Sequence, residues 1–359
     1  MSTDTRSAPD TAVPQQQPVQ VQRRLPRLAP LGLFLAGIVL GAALSAATGF
    51  SVTSTVIYGV ILGTLAVYIA TRAVEGRRKA TDRLVTCLVT TAFGIAMVPL
   101  VSLVYTVLDR GLARFDSAFF TNSMFRVVGE GGGAYHAIIG TLVITLLATL
   151  ISVPIGLMTA IYLVEYGTGR LKKAITFFVD VMTGIPSIVA GLFAFALFTL
   201  LFGNDFRAGI MGAVALSVLM IPVVVRSCEE VLKLVPNELR EASYALGVPK
   251  WRTVVKVVLP TAIAGLGTGV TLSVARVVGE TAPLLITVGL ITGTNLNPFD
   301  GRMATLPVFA FYQLTQPGTE TQAFLDRAWT AALLLIILVM ALNVVARLIS
   351  RFFAPKTGR

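Results

Sequence analysis

The stretch Arg240-Glu-Ala-Ser-Tyr-Ala-Leu-Gly-Val-Pro-Lys-Trp-Arg-Thr-Val-Val-Lys-Val-Val-Leu-Pro260, with the run that continues to Arg276-Val-Val-Gly-Glu-Thr-Ala-Pro283, decides how this chain is read. It reads as two short amphipathic helices broken at Gly247 and Pro249. Asn237 is the expected N-cap, and Glu238 and Glu241 fall in the first turns, where the helix dipole favours negative charge. Leu239, Ala242 and Leu246 share one apolar face. Gly247 stands where a left-handed C′ residue ends a helix, and Pro249 follows where the helix cannot continue. The second helix carries Trp251, Val254, Val255 and Val258 on one side, with Lys250, Arg252 and Lys256 elsewhere. Pro260 marks the join to an apolar span expected from Thr261. Two short helices between spans cannot bury their apolar faces in each other, so they call for a partner outside the bilayer.

Composition sets the class around that stretch. Hydrophobic residues make up 55% of the 359 and charged residues 13%, against roughly a quarter charged in a soluble chain. Several apolar runs reach about 20 residues, the length of a bilayer crossing. The net charge of +11 lies in loops between those runs, which the positive-inside rule explains better than nucleic-acid binding does. Cys87 and Cys228 read as apolar or near-cytoplasmic positions. No disulfide is expected, and no metal-ligand spacing surrounds them.

Taken in order, residues 1–29 form a Pro/Gln-rich segment read as a disordered cytoplasmic tail. The runs 30–49 and 52–71 form an extra N-terminal transmembrane hairpin (30–71), an uncleaved anchor rather than a signal peptide. Loop 72–83 has five basic residues against two acids and is assigned inside. A third span covers 84–108. Loop 109–135 is charge-balanced and assigned outside. A fourth span runs from about Ala137 to Val164, a basic loop returns inside, and a fifth span at about 174–202 is broken by Gly184 and Pro186. A sixth ends near Val225. The stretch 226–260 carries six basic residues against four acids and is assigned inside. The apolar run 261–293 exceeds one crossing, so a bend is expected near Gly279 or Pro283. Residues 294–328 are polar and assigned outside. An eighth span at about 329–346 precedes a basic cytoplasmic tail, 353–359. The expected architecture is all-α, about eight spans, with both termini cytoplasmic. No internal repeat is visible.

Glu241-Ala-Ser, then Gly247, then Val257-x-Leu259-Pro260 resembles the EAA loop of ABC-importer permeases, in which EAA, three residues, G and nine residues precede I-x-L-P. Ser243 stands for the second Ala and Val257 for Ile; the spacing matches throughout. Arg276-Val-Val-Gly-Glu-Thr-Ala-Pro-Leu-Leu285 resembles the signature of phosphate-importer permeases, its ending closer to PstA-type than to PstC-type subunits. Thr183-Gly-Ile-Pro-Ser-Ile-Val-Ala-Gly191 and Glu130-Gly-Gly-Gly-Ala-Tyr-His-Ala-Ile-Ile-Gly140 are similar to segments of the same family. The resemblance covers roughly 84–352. It implies a six-helix core of the MetI-like type I importer kind, with 227–260 as coupling loop. The hairpin lies outside it.

The resemblance also implies roles and partners. Glu241, Ala242, Ser243, Gly247, Leu259 and Pro260 would couple to a separate PstB-like ATPase dimer, since this chain has no G-x-x-x-x-G-K-[ST] phosphate loop. ATP and Mg would be held there; no cofactor and no catalytic residue are expected here. A PstC-like second permease and an extracytoplasmic, PstS-like phosphate-binding protein complete the set, in a bacterial inner membrane. The plainer reading of the loop is an amphipathic pair lying on anionic lipid.

Arg276 and Glu280 stand one helical turn apart in an apolar span, where isolated charge is costly. Two readings remain open. Arg276 lines a phosphate path, guanidinium matching phosphate oxygens, with Glu280 holding it and weakening binding; or the two form a structural ion pair. Thr281 belongs to the same path segment. Pro186 and Ser187, at the broken span, are a gate or path position or a plain packing kink. Asp180 is expected to make a capping or inter-subunit contact, and His136 is expected to sit at the membrane interface. Gly131 to Gly133 with Tyr135 offers a surface to a binding protein.

Competing classes are a PstC-type subunit or a permease for another oxyanion such as molybdate or sulfate, both disfavoured by Gly279-Glu-Thr-Ala-Pro283. A stand-alone secondary transporter predicts inverted repeats and more ionisable groups in its spans. A membrane scaffold would give Arg276 and Glu280 no task.

Overall fold

Helices follow wherever apolar runs meet helix-forming flanks, and in the computed structural model they account for nearly every regular element. It describes residues 25–26, 28–49 and 51–353. Most of the expected N-terminal tail and residues 354–359 of the expected C-terminal tail lie outside the described residues. Two compact units divide at Leu103 and Val104.

In the first unit, α1 (Ala29–Thr48) and α2 (Val52–Glu75) form a hairpin. Gly37 and Gly41 face Gly63 and Gly59; a Cβ on either of the first two would overlap the backbone of the opposing glycine. Small residues four apart on both helices allow backbones to touch where lipid provides no hydrophobic drive between helices. Ser51 Oγ accepts from the Ser54 amide at the start of α2, and Ser45 and Ser54 hydroxyls meet at 2.6 Å. The basic segment expected as a loop at 72–83 is helical apart from Gly76: α2 runs to Glu75 and α3 (Arg77–Gly111) begins at once. Arg, Lys and Ala are strong helix formers, so the charged flanks extend helices beyond their apolar windows. Between Ala80 and Val107 most apolar side chains of α3, among them Leu88, Phe93, Val98 and Leu103, are exposed.

In the second unit, α4 (Ser117–Thr121) precedes α5 (Tyr135–Ile161), which ends in a π-helical turn over Tyr162–Tyr166. The expected fifth span is two helices, α6 (Gly169–Thr183) and α7 (Ser187–Phe202), bent by 107°. Pro186, without an amide hydrogen, is the break. Next come α8 (Gly209–Lys233), α9 (Asn237–Ala245) and α10 (Lys250–Thr253). A π-helical turn over Val254–Val258 joins α10 directly to α11 (Leu259–Val278), so the span expected from Thr261 begins at Lys250. The π turn precedes Pro260, whose ring cannot donate to a regular i−4 carbonyl. The chain breaks at Gly279 and resumes as α12 (Ala282–Thr287), in the region expected to bend. The polar stretch 294–328 hides α13 (Leu306–Thr315), with Leu306, Val308 and Phe309 buried, before α14 (Thr321–Phe353).

Among the described residues seven helices are long and apolar enough to cross a membrane, eight if the bent α6–α7 pair counts as one span. The core lies among α5, α8, α11, α12 and α13: Ile144, Ala148, Leu216, Met220, Val224, Cys228, Val258 and Leu284 are buried together. Gly156 sets the approach of α5 to α8, where a Cβ would meet Val224 Cγ1 at 2.6 Å, and the Ser217 hydroxyl donates within α8 to Ala213 O at 2.7 Å. Among the described residues the named regular elements are all helical, the α1–α2 hairpin in the first unit and the packed bundle in the second.

Candidate functional site

The α9–α10 corner is built by one turn and two buried contacts. Gly247 has φ +71°, the left-handed value that lets the chain reverse after α9. Nothing lies within 4 Å of where its Cβ would be, so the backbone alone requires glycine. The Ser243 hydroxyl meets that of Thr253 at 2.8 Å, both buried, tying α9 to α10. Arg240 is the second fastener. Its Nη2 and Nε donate to Glu165 Oε1 at 2.9 and 3.1 Å, and its Nη1 and Nη2 to the Val235 and Leu232 carbonyls at 2.6 and 3.1 Å. Glu165 and Arg240 side chains are 4% and 12% exposed, so this is a buried pair rather than a solvated one.

Asn237 does not cap α9. Pro236 holds the flanking position, and the Asn237 Oδ1 accepts from Arg240 Nη1 at 3.2 Å. The proline presets the backbone at the helix entrance, leaving the asparagine side chain for the arginine. The side expected to carry Trp251, Val254, Val255 and Val258 divides in two. Val254 and Val258 are buried in this chain, whereas Trp251 and Val255 are exposed. These pairs are adjacent rows of one helix, and only one row meets the bundle. Leu239, Tyr244 and Leu246 are exposed as well, so with Trp251 and Val255 the corner on either side of Gly247 carries five uncovered apolar side chains. Glu241 and Ala242 are exposed in it, Leu259 is half-buried and Pro260 exposed.

The second zone centres on the break after α11. Arg276 is in the last turn of α11, where helix-end carbonyls favour a cation. It is exposed, and no ion pair joins it to Glu280 among the described residues. The expected one-turn pairing fails because the helix stops at Val278, which takes Glu280 off the helical position facing Arg276. Thr281 is half-buried at the start of α12, and Pro283 packs on α7, its Cα 2.7 Å from a Cβ built on Gly191. Pro186 and Ser187 open that same α7 one turn earlier. The structure thus brings the 281–283 turn and α7 together. No hydrogen bond or ion pair among the described residues links Arg276, Glu280, Thr281, Pro186 and Ser187 to one another.

Several residues emerge only in three dimensions. Arg226 on α8 bonds Asp180 on α6 and Glu229 on its own helix, and Lys233 adds to Glu229 at 2.7 Å. Asp180 therefore has an intrachain arginine partner. At the other end of α5, Arg327 is fully buried without a carboxylate; it donates to the Gly129 and Gly131 carbonyls at 2.8 and 3.0 Å and to Gln313 at 3.0 Å. Arg114 takes the Gly132 carbonyl at 2.9 Å and pairs with Asp116. Asp116 caps α4 by accepting from the Phe119 amide, and that bond holds its carboxyl below the usual range. The glycine turn is thus clamped by two arginines. His136, expected at the interface, is 2% exposed, edge-on to Phe309. Neither ring nitrogen has a partner among the described residues. Glu165 carried one faint sequence signal: a lone acid directly after an apolar run, at an end otherwise basic.

The family described as binding-protein-dependent transport system inner membrane component matches residues 152–359. The phosphate transport system permease protein PstA 1 of Mycobacterium tuberculosis is 50% identical over 286 residues, 79% of this chain and 91% of its own length. The phosphate transport system permease protein PstA of Yersinia pestis is 37% identical over 281 residues, 78% of this chain and 92% of its own. Among solved structures, a bacterial alginate ABC transporter in complex with alginate pentasaccharide-bound periplasmic protein aligns at a TM-score of 0.54 and 14% identity. That alignment covers 78% of this chain and 97% of the other, a likeness of fold alone.

Proposed function

Because the chain belongs to the binding-protein-dependent transport permeases, and within them to the PstA phosphate transport permeases, we propose that it pairs with a PstC-like permease to form the membrane path of an ATP-driven importer of inorganic phosphate. Hydrolysis takes place on a separate PstB-like ATPase dimer, and phosphate arrives on an extracytoplasmic PstS-like binding protein. Both termini and α9–α10 face the cytoplasm, as the excess of basic residues on that side of the spans requires.

The observation that carries this reading is the uncovered apolar surface of Leu239, Tyr244, Leu246, Trp251 and Val255 on a corner locked from behind by Arg240–Glu165 and Ser243–Thr253. An exposed patch on a rigid support fits a protein groove. A rigid support matters because force from ATP-driven closure must reach the spans. The continuous helix from Lys250 through the π turn to Val278 provides that route, since motion of the corner moves α11 directly. Glu241, exposed on α9, is the residue that contacts the ATPase in this reading.

Arg276 stands at the far end of that helix. Its lack of an ion pair among the described residues favours contact with a passing anion over a static lock. Guanidinium meets phosphate oxygens through paired hydrogen bonds, and Glu280 a short distance along the chain keeps such binding brief. Thr281, Pro186 and Ser187 border the same route where α12 meets α7.

Phosphate uptake in cells lacking this chain tests the proposal. Wild type restores uptake, whereas Glu241→Lys and Arg276→Ala at matched membrane levels do not. Uptake retained by Arg276→Ala removes the path role, and uptake retained by Glu241→Lys removes the coupling role. Failure of the wild-type chain to restore phosphate uptake removes the substrate assignment.

A further inference from the structure

A cavity of about 370 Å³ opens at the end of the bundle opposite α9–α10, lined by Arg207, Arg302, Tyr312, Gln316 and the turn from Val288 to Leu290. Two arginines and two neutral hydrogen-bonding side chains line it, and no carboxylate does. Neither arginine takes part in an ion pair among the described residues. Two unneutralised guanidinium groups in one concavity repel each other unless an anion joins them.

The walls of this cavity are fixed. The turn before α8 is bridged to the 289–305 segment through Ala208 and Gly301, and the Ile210 amide donates to Pro298 O at 2.7 Å. Arg207 Nη1 donates to the Asn204 and Phe206 carbonyls at 3.0 and 2.7 Å, and its guanidinium lies 4.7 Å over the Phe195 ring. Those bonds use one nitrogen and set the orientation of the others. Arg302 makes no side-chain hydrogen bond among the described residues, and its Nη1 lies close over Gly289. Tyr312 and Gln316 stand on one face of α13 and just beyond it. At about 30 Å³ per water, the space holds a tetrahedral oxyanion with much of its hydration retained.

We propose that Arg207 and Arg302, with Tyr312 and Gln316, form an oxyanion-capture site at the extracytoplasmic mouth, taking inorganic phosphate before it reaches Arg276. The site rests on the phosphate-importer reading and adds a residue set that the path segment does not contain. Partial hydration suits it to transfer: an anion held between the exposed Arg302 and the half-buried Arg207 leaves readily, whereas one fully desolvated there would remain.

Two experiments on the assembled transporter test this. In the first, the purified complex without its binding protein is labelled with phenylglyoxal, and modification of Arg302 is read by mass spectrometry. Millimolar inorganic phosphate is expected to slow that labelling about threefold relative to chloride at equal ionic strength, the drop produced when two-thirds of sites are filled. No protection by phosphate, or protection only after the binding protein is added, overturns the proposal; the latter makes Arg302 a docking contact. In the second, Arg302→Gln alone and with Arg207→Gln lowers phosphate uptake several-fold at unchanged membrane level, and Arg302→Lys retains most of it. Wild-type uptake by Arg302→Gln, at a position whose native side chain makes no hydrogen bond or ion pair among the described residues, overturns the capture role. Failure of the importer reading looks different: there, even the wild-type chain restores no phosphate uptake.

Discussion

At the scale of single residues, the α9–α10 corner shows how a departure from a family pattern is accommodated. Ser243 replaces an alanine of the EAA pattern, and a buried hydroxyl is unfavourable unless paired. Thr253 pairs it at 2.8 Å. Ser243→Ala is therefore expected to destabilise the chain by about 1–3 kcal/mol, because Thr253 is left with a buried unsatisfied hydroxyl. Adding Thr253→Val recovers most of that, which thermal unfolding of the purified complex would read. The same asymmetry governs Arg240. Arg240→Met leaves Glu165 as a buried uncompensated charge at a cost of about 3–5 kcal/mol, whereas Glu165→Gln with Arg240→Met costs much less. Equal losses in the single and double variants would refute the pairing. The motif residues Glu241, Gly247 and Pro260 could be picked out in the sequence because their spacing is local. Glu165 and Thr253 were not, because their partners are 75 and 10 residues away and meet only when helices pack.

At the scale of elements, sequence patterns located breaks better than ends. Gly184–Pro186 and Gly279 interrupt apolar runs where chain stiffness and hydrogen-bonding loss leave few options, and the helices part there. Ends were misjudged in a consistent direction. Charged flanks with high helix propensity carry α2, α3 and α14 beyond their apolar windows, so polar composition at 72–83 did not mean loop. The short helix α13 was missed in a stretch rich in Pro, Gly, Asn and Thr, since ten residues give too little periodicity to stand out. In the hairpin, glycines four apart on both helices set the closest approach. Gly41→Leu is expected to separate α1 from α2. Cysteines placed at Ser45 and Ser54, whose hydroxyls meet at 2.6 Å, would cross-link on oxidation in the wild-type background and fail to do so with Gly41→Leu.

At the scale of the whole molecule, the hairpin seals its glycine faces within the first compact unit, while the α9–α10 corner, the α11 break and the two-arginine cavity all belong to the second. Removing residues 1–71 is accordingly expected to leave membrane insertion of the remaining chain and its phosphate uptake largely intact. Loss of uptake at normal membrane level would assign the hairpin a part in transport. The exposed apolar length of α3 marks a face for lipid or for another subunit. The amino-acid sequence by itself determined the membrane class, the approximate number of spans, the turn at Gly247 and the family, because each depends on hydrophobic run length or on spacing along the chain. Tertiary structure alone decided that Arg276 and Glu280 do not pair, that Glu165 and Arg327 are buried fasteners, and that Arg207 and Arg302 share one cavity. Those outcomes depend on where helices stop and which faces meet, and a helix ending two residues early is enough to separate side chains that a continuous helix would have stacked.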